Sequence, residues 1–241
     1  MNNIKKYGMK ESRGAVKKGI GNKRNRDEDK RYEKRIELND RDRLILKLLW
    51  KFRVMSIDSV RVLGEFSSNR YASARMKKLS DYGYVKMEQF SISEKGAYSL
   101  TVKGNEVLGV QTKPYRINRG TLEHELGISL IASWLKINRN YDPLEFITDR
   151  ERRQDELYTL STKTDLYYPK DNLIIEYERT QKSINRITEK VSDLYLISSN
   201  QLWIIPKARK KLKESLSMKL NDYSINHEII NFDLIEREVV Q

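Results

Sequence analysis

Two sets of side chains stand out for the chemistry they could do. Asn69, Arg70, Ser73 and Lys77 are spaced so that one face of a helix would present all four. Asn and Arg match the hydrogen-bonding edges of adenine and guanine in a major groove, and Ser73 is short enough to approach backbone or base. Arg75, Lys77 and Lys78 suit phosphates. The second set is Asp165, Glu176 and Glu178. In an extended segment from Leu173 to Glu178, alternation sets Ile174, Glu176 and Glu178 on one face. Two carboxylates so placed repel unless a cation or basic partner neutralises them. Asp165 opens the neighbouring strand, near the far end of the same row. Hard oxygen donors of this kind suit Mg²⁺ or Mn²⁺. The other reading is a structural network in which Arg179, Lys182 or Arg186 pairs with the carboxylates.

The elements around the first set read as a winged helix-turn-helix over 36–110. Asn39 and Asp40 can cap a helix carrying Leu44, Ile45, Leu48, Leu49 and Phe52. Ser56 can cap a short second helix with Ile57, Val60 and Leu63, and Gly64 allows a tight turn. A third helix from about Ser68 to Tyr82 buries Ala72, Met76 and Leu79 opposite the polar set. Tyr84 to Met87 and Ala97 to Leu100 then form a hairpin with Lys86 and Lys95 on it, and a short helix from Val102 to Leu108 closes the unit. Three helices with a basic third one and a two-stranded wing suit the DNA major groove.

Charge is unevenly spread. The 241 residues carry a formal +13, and residues 1–35 hold 13 Lys and Arg against 5 Asp and Glu, a net +8. Such an arm, with Lys17, Lys18, Lys23 and Arg24, can add phosphate contacts ahead of a folded body. The chain has no cysteine, which excludes disulfides and thiolate metal sites. No apolar run approaches the roughly 20 residues that span a bilayer, and no apolar segment follows the basic N-terminus as a secretory signal would require. A soluble cytoplasmic protein without membrane contact is expected. His124 and His227 are isolated in sequence, and no GxxxxGK[ST] phosphate loop occurs. Trp50, Trp134 and Trp203 lie among apolar periodic residues and read as core.

After a linker over 111–120, the remainder from 121 to 241 reads as an α/β domain. A helix from Thr121 to Ile137 carries Leu122, Leu126, Ile131 and Leu135. Strands are expected over Leu144 to Thr148, Thr164 to Tyr168 and Leu173 to Glu178, with Pro169 to Asn172 turning between the last two. A helix from Ser183 to Ile197, a buried strand Leu202 to Ile205, a basic helix Lys207 to Lys219 and a strand from Ile225 to Phe232 complete it. The expected class is α/β (α+β), with a mixed sheet because a strand following a crossover helix runs parallel to its partner.

With these pieces in place, the chain resembles the replication-relaxation family of plasmids and conjugative elements. The carrying blocks are Asn39 to Leu46, Ala74 to Leu79 with Tyr82 to Val85, Tyr98 to Gly104, Leu122 to Leu126, and Ile175 to Thr180. The resemblance implies a DNA-binding accessory or control protein of a mobile element, acting in replication, mobilisation or transcription. A relaxase or replication initiator is the protein partner such a role calls for, and the Leu122 to Ile137 helix is a candidate homodimer surface.

The α-β-β-β-α-β order also resembles the core of PD-(D/E)XK nucleases. There Asp165 and Glu176 match motif positions, but Glu178 stands where the lysine belongs, leaving Lys182 or Lys190 to reach back. The reading is therefore a double-stranded DNA-binding protein with no catalytic residue. The alternatives are a metal-dependent endonuclease using Asp165, Glu176, Glu178 and Lys182, or a protein-interaction adaptor.

Overall fold

The computed structural model describes residues 36–89, 96–111, 113–152, 164–180 and 182–240. The basic arm with Lys17, Lys18, Lys23 and Arg24, and Lys95 on the hairpin, lie outside the described residues.

Helix α1 (Asp40–Phe52) starts with a reciprocal cap. Asn39 accepts from the Asp42 N–H at 2.9 Å, and the Asp42 carboxylate accepts from the Asn39 N–H at 3.0 Å. Of its predicted apolar positions, Ile45, Leu48, Leu49 and Phe52 are buried and Leu44 is partly so. Ser56 caps α2 (Ile57–Leu63), and Ser68 caps α3 (Asn69–Asp81), whose Ala72, Met76 and Leu79 are fully buried. Strands β1 (Val85–Glu88) and β2 (Ala97–Leu100) pair antiparallel, with Val85 opposite Leu100, and α4 (Val102–Val107) follows. The turn after α2 differs in detail from expectation. Gly64 has an ordinary negative φ, and the positive φ falls on Glu65 at 56°. A Cβ at Gly64 would lie 2.7 Å from the Val60 carbonyl and 2.9 Å from the Phe66 ring, so close approach requires the glycine.

Helix α5 (Arg119–Arg139) is capped by Asn118, earlier than the predicted Thr121, and ends on left-handed Asn140. Next come β3 (Ile147–Thr148), α6 (Asp149–Arg152), β4 (Leu166–Tyr168) and β5 (Leu173–Tyr177). Pro169–Asp171 forms a 3-10 turn that ends on left-handed Asn172, as the Pro-Lys-Asp-Asn sequence suggests. Helix α7 (Ile184–Tyr195), β6 (Asn200–Ile205), α8 (Lys210–Asp222), β7 (Asn226–Asn231) and α9 (Phe232–Val239) complete the fold. The five-stranded sheet runs β3-β4-β5-β6-β7, antiparallel through β5 and parallel from β5 to β7. The class is mixed α/β, as expected. Helix α9 was not anticipated.

Strand alternation divides the sheet into two packed faces. Ile174, Trp203 and Ile205 meet α7 and α8 through Ile187, Val191, Leu194, Leu212 and Leu216. Leu173, Ile175, Tyr177, Leu202 and Ile204 share a second cluster with α5, α9 and the α1–α3 segment. Because that cluster is continuous, Ile36–Gln241 is one compact unit. Polar links cross the same boundary. The Ser59 and Ser129 hydroxyls lie 3.2 Å apart, Arg53 donates to Glu125 at 2.9 Å, and Arg61 donates to the Val239 carbonyl at 2.5 Å. Helix α5 is itself core, with Leu122, Ile128, Leu130, Ile131, Trp134 and Leu135 buried. Its apolar stripe is covered within the chain, which corrects the expectation of a dimer surface there.

Trp203 and Trp134 are core as predicted, at 2% and 7% exposed, while Trp50 is only partly buried. Gly127 marks a tight crossing, since a Cβ there would lie 2.2 Å from the Tyr177 ring. Gly127→Ala is expected to destabilise the fold. Overpacking costs about 1–3 kcal/mol, against roughly 1 kcal/mol gained in helix propensity. A thermal midpoint equal to or above that of the wild type would show that the ring can move aside.

Candidate nucleic-acid interface

Burying Ala72, Met76 and Leu79 forces the opposite side of α3 outward. Arg70, Ser73, Lys77 and Lys78 are exposed there, together with Tyr71 at 64% exposed and Ala74. Beside them, Arg41 stacks its guanidinium over Phe66, 4.9 Å from the ring centre. Arg41, Phe66, Ser67, Tyr71, Ala74 and Lys78 line a groove of about 590 Å³. Tyr71 and Arg41 join this surface although neither was expected in it. Tyr71 was detectable as the one large aromatic among the polar α3 positions.

Three residues of the expected set are engaged within the chain. The Asn69 amide donates to Asp58 Oδ1 at 2.9 Å. Arg75 grips Asp42 with two nitrogens, Nε at 2.6 Å, and this bond raises the guanidinium pKa despite partial burial. Lys86 is paired with Glu88 on the same strand. Of the expected α3 set, Arg70, Ser73, Lys77 and Lys78 are the ones left facing outward. Arg75 serves first as the tie between α1 and α3.

The carboxylates occupy the end of β5. Glu176 and Glu178 lie on the α7 side, and α7 sends Lys190 back to them, 2.6 Å from Glu176 and 3.7 Å from Glu178. Lys182 also pairs with Glu178. Of the cations expected as partners, Lys182 is used, whereas Arg179 pairs with Glu123. Glu176 is fully buried, and its carboxyl is pushed up to about 8. Burial is the main cause, with Asp165 adding to it and Lys190 opposing. Asp165 does not stand in an open row. Its carboxylate accepts from the Tyr177 N–H at 2.8 Å and meets His124 Nε2 at 3.1 Å, while its own N–H donates to Glu176. Every one of these carboxylates thus has partners, and they do not fit a divalent cation as they stand. Among the described residues no group of three His, Asp or Glu side chains is placed to hold a metal.

His124 is the residue that its isolation in sequence concealed. It lines a cavity of about 290 Å³ together with Lys51, Arg53, Thr148, Asp149 and Asp165, and stacks on Tyr177. Burial lowers its pKa, but Asp165 outweighs that and raises it overall. Asp165 in turn is lowered against its own desolvation by His124, Lys190 and the Tyr177 N–H. The sign follows from linkage. The His124 contribution is present below the ordinary histidine value of about 6.5 and lost as pH rises through its raised value. The Asp165 contribution is present above the ordinary aspartate value of about 3.9 and lost as pH falls. The pair therefore stabilises most in the mildly acidic range between. His124→Asn should lower the urea midpoint most in that range and least in alkaline buffer. A uniform loss at all pH values would show that packing, not charge, is what His124 supplies. His227, by contrast, is tied through Nδ1 to the Ile225 carbonyl at 2.8 Å.

The fold and surface define a mixed α/β protein with an exposed basic helix on a sheet-backed core. The chain belongs to the replication-relaxation family, whose model matches residues 46–200, well over half its length. That membership links it to replication or relaxation of plasmid or mobile-element DNA. No curated protein and no solved structure matches it. No helix among the described residues is long and apolar enough to cross a membrane.

Proposed function

We propose that the chain is a duplex-DNA-binding accessory or control protein of a mobile element. It acts by occupying a site in replication, mobilisation or transcription. The α1–α4 segment with its β1-β2 hairpin works as a winged helix, with α3 in the major groove. The observation that carries this reading is the outward face of α3, where Arg70, Ser73, Lys77 and Lys78 are exposed beside Arg41. Arg70 reads a base edge, Lys77 and Lys78 hold phosphates, and the arm adds further phosphate contacts.

The test selects binding sites from a random-sequence duplex pool, then compares Arg70→Ala with wild type. The variant should lose roughly 1–3 kcal/mol on the selected site and much less on random duplex. Equal loss on both would leave phosphate contact without base reading.

One observation favours the endonuclease rival: Lys190 reaches Glu176 from α7, supplying the cation absent at position 178. Against it, a buried carboxyl that favours its proton is a poor cation ligand, and Glu178 cannot donate to a developing oxyanion. Purified chain with Mg²⁺ or Mn²⁺ is expected to leave supercoiled plasmid intact. Nicking that disappears in Glu176→Ala would reverse this choice.

A further inference from the structure

The most concentrated charge among the described residues is not on α3. Lys207, Arg209, Lys210, Lys211 and Lys213 crowd one stretch, all exposed, where β6 hands over to α8. Glu214 is the lone acidic residue between Lys207 and Asn221. Lys207, Lys210, Lys211 and Lys213 have no ion-pair partner among the described residues. Arg209 is held in place by donating from Nε to the Arg179 carbonyl at 3.3 Å, which ties the stretch to the end of β5.

Nothing in folding requires this arrangement. The buried residues of α8 are Leu212, Leu216 and Leu220, so none of the cations serves the core. Their position is locally unfavourable, because Lys210, Lys211 and Lys213 load positive charge onto the positive end of the helix dipole. Arg209 occupies the N-cap without a side-chain cap bond, where Ser, Asp or Asn would stabilise the helix. Local rules broken together on an exposed surface point to a partner that compensates them.

We propose that Lys207 to Lys213 binds the phosphate backbone of duplex DNA, independently of α3. The chemistry selects that partner. The stretch from Lys207 to Asp222 contains no aromatic residue on which unpaired bases could stack, which disfavours single strands. Met218 is its one exposed large apolar side chain, too little for insertion into a lipid surface. Unpaired lysines without base-reading groups suit phosphates that carry no sequence information. The location adds a consequence. Helices α7 and α8 cover one face of the sheet, while α5 and the α1–α3 segment cover the other. With the two basic surfaces carried by helices backed by different core clusters, one molecule could join two DNA segments if the α3 reading holds as well.

The test uses the full chain and a random-sequence duplex oligonucleotide titrated across salt concentrations. It compares wild type, the fourfold variant K207Q/K210Q/K211Q/K213Q, its fourfold Arg counterpart, and a separate α3 variant, R70A/K77A. The fourfold Gln variant should melt like wild type. Its log–log salt slope should be shallower by roughly 2–4, since each phosphate contact contributes about 0.9. The Arg version should keep the wild-type slope. The α3 variant should keep the α8 share of the slope, so failure of the α3 reading would leave this proposal standing. An unchanged slope in the Gln variant overturns it. So does a lysine-dependent preference for single strands or for phosphatidylserine vesicles over the duplex. A bead-bound duplex capturing a second, fluorescent duplex should do so with wild type and not with the Gln variant. Undiminished capture by the Gln variant would assign bridging to another surface.

Discussion

Asp42→Ala is expected to lower stability by roughly 3 kcal/mol or more, which for a chain of this size means a fall in midpoint of about 6–12 °C. Asp42 is fully buried, closes the α1 cap by accepting from Asn39, and receives Arg75 from α3 through two nitrogens. Removing the carboxylate leaves a partly buried guanidinium without its ion-pair partner. Asp42→Asn keeps the shape and part of the cap but not the ion pair, so it should recover only a fraction. The double variant D42A/R75A should cost clearly less than the sum of its singles. Strict additivity would mean that the two side chains are not coupled. The same pair orients the wall of the groove beside Tyr71 and Lys78, so duplex affinity should weaken in Asp42→Ala even at temperatures where it remains folded.

Lys190→Met is the second large effect, and it should depend on pH. The thioether keeps apolar volume over the Trp203 ring, where the ammonium now sits 5.4 Å from the centre. What it removes is the main neutralising charge for Glu176. The Glu176 carboxyl is already pushed up to about 8 in the intact protein, and without Lys190 it rises further. A group whose folded value is raised makes the folded state bind the extra proton, so stability falls as pH rises above the ordinary carboxylate range. Near pH 5 the variant should lie close to wild type, because Glu176 is protonated in the variant fold. Near pH 8.5, where most wild-type molecules have ionised Glu176 and the variant has not, the loss should open to about 1 kcal/mol, and it should widen by up to about 1.4 kcal/mol for each further pH unit. Adding Glu176→Gln should restore most of it and flatten the profile. A loss independent of pH would show that Lys190 acts by packing alone.

Periodicity explains which parts of this molecule were legible in advance. Ala72, Met76 and Leu79 repeat at helical spacing, and Ile174, Glu176 and Glu178 alternate as a strand must; both placements hold. Caps at Asn39 and Ser56 were readable because their chemistry is local. Helix α9 carries Phe232, Ile235 and Val239 at helical intervals, but that signal lay directly behind a strand and was absorbed into it. The partners of polar groups were less accessible. Asn69 turns to Asp58, Arg75 to Asp42 and His124 to Asp165, over separations that only packing decides. Consequently the outward residues of α3 were identified together with two that face inward.

The uninterrupted core between α1–α3 and the sheet has a consequence for how such a protein diversifies. Lys51 donates to the Phe146 carbonyl, Ser59 meets Ser129, and Arg61 reaches Val239 near the end of the chain. A fragment cut after Val110 would leave these groups and the apolar surface around them facing water. The α1–α4 segment is therefore not a cassette that can be lifted out and grafted onto another body. On the function proposed above, new target preferences would have to arise through point changes at Arg70, Ser73 and their exposed neighbours, with the scaffold beneath inherited whole.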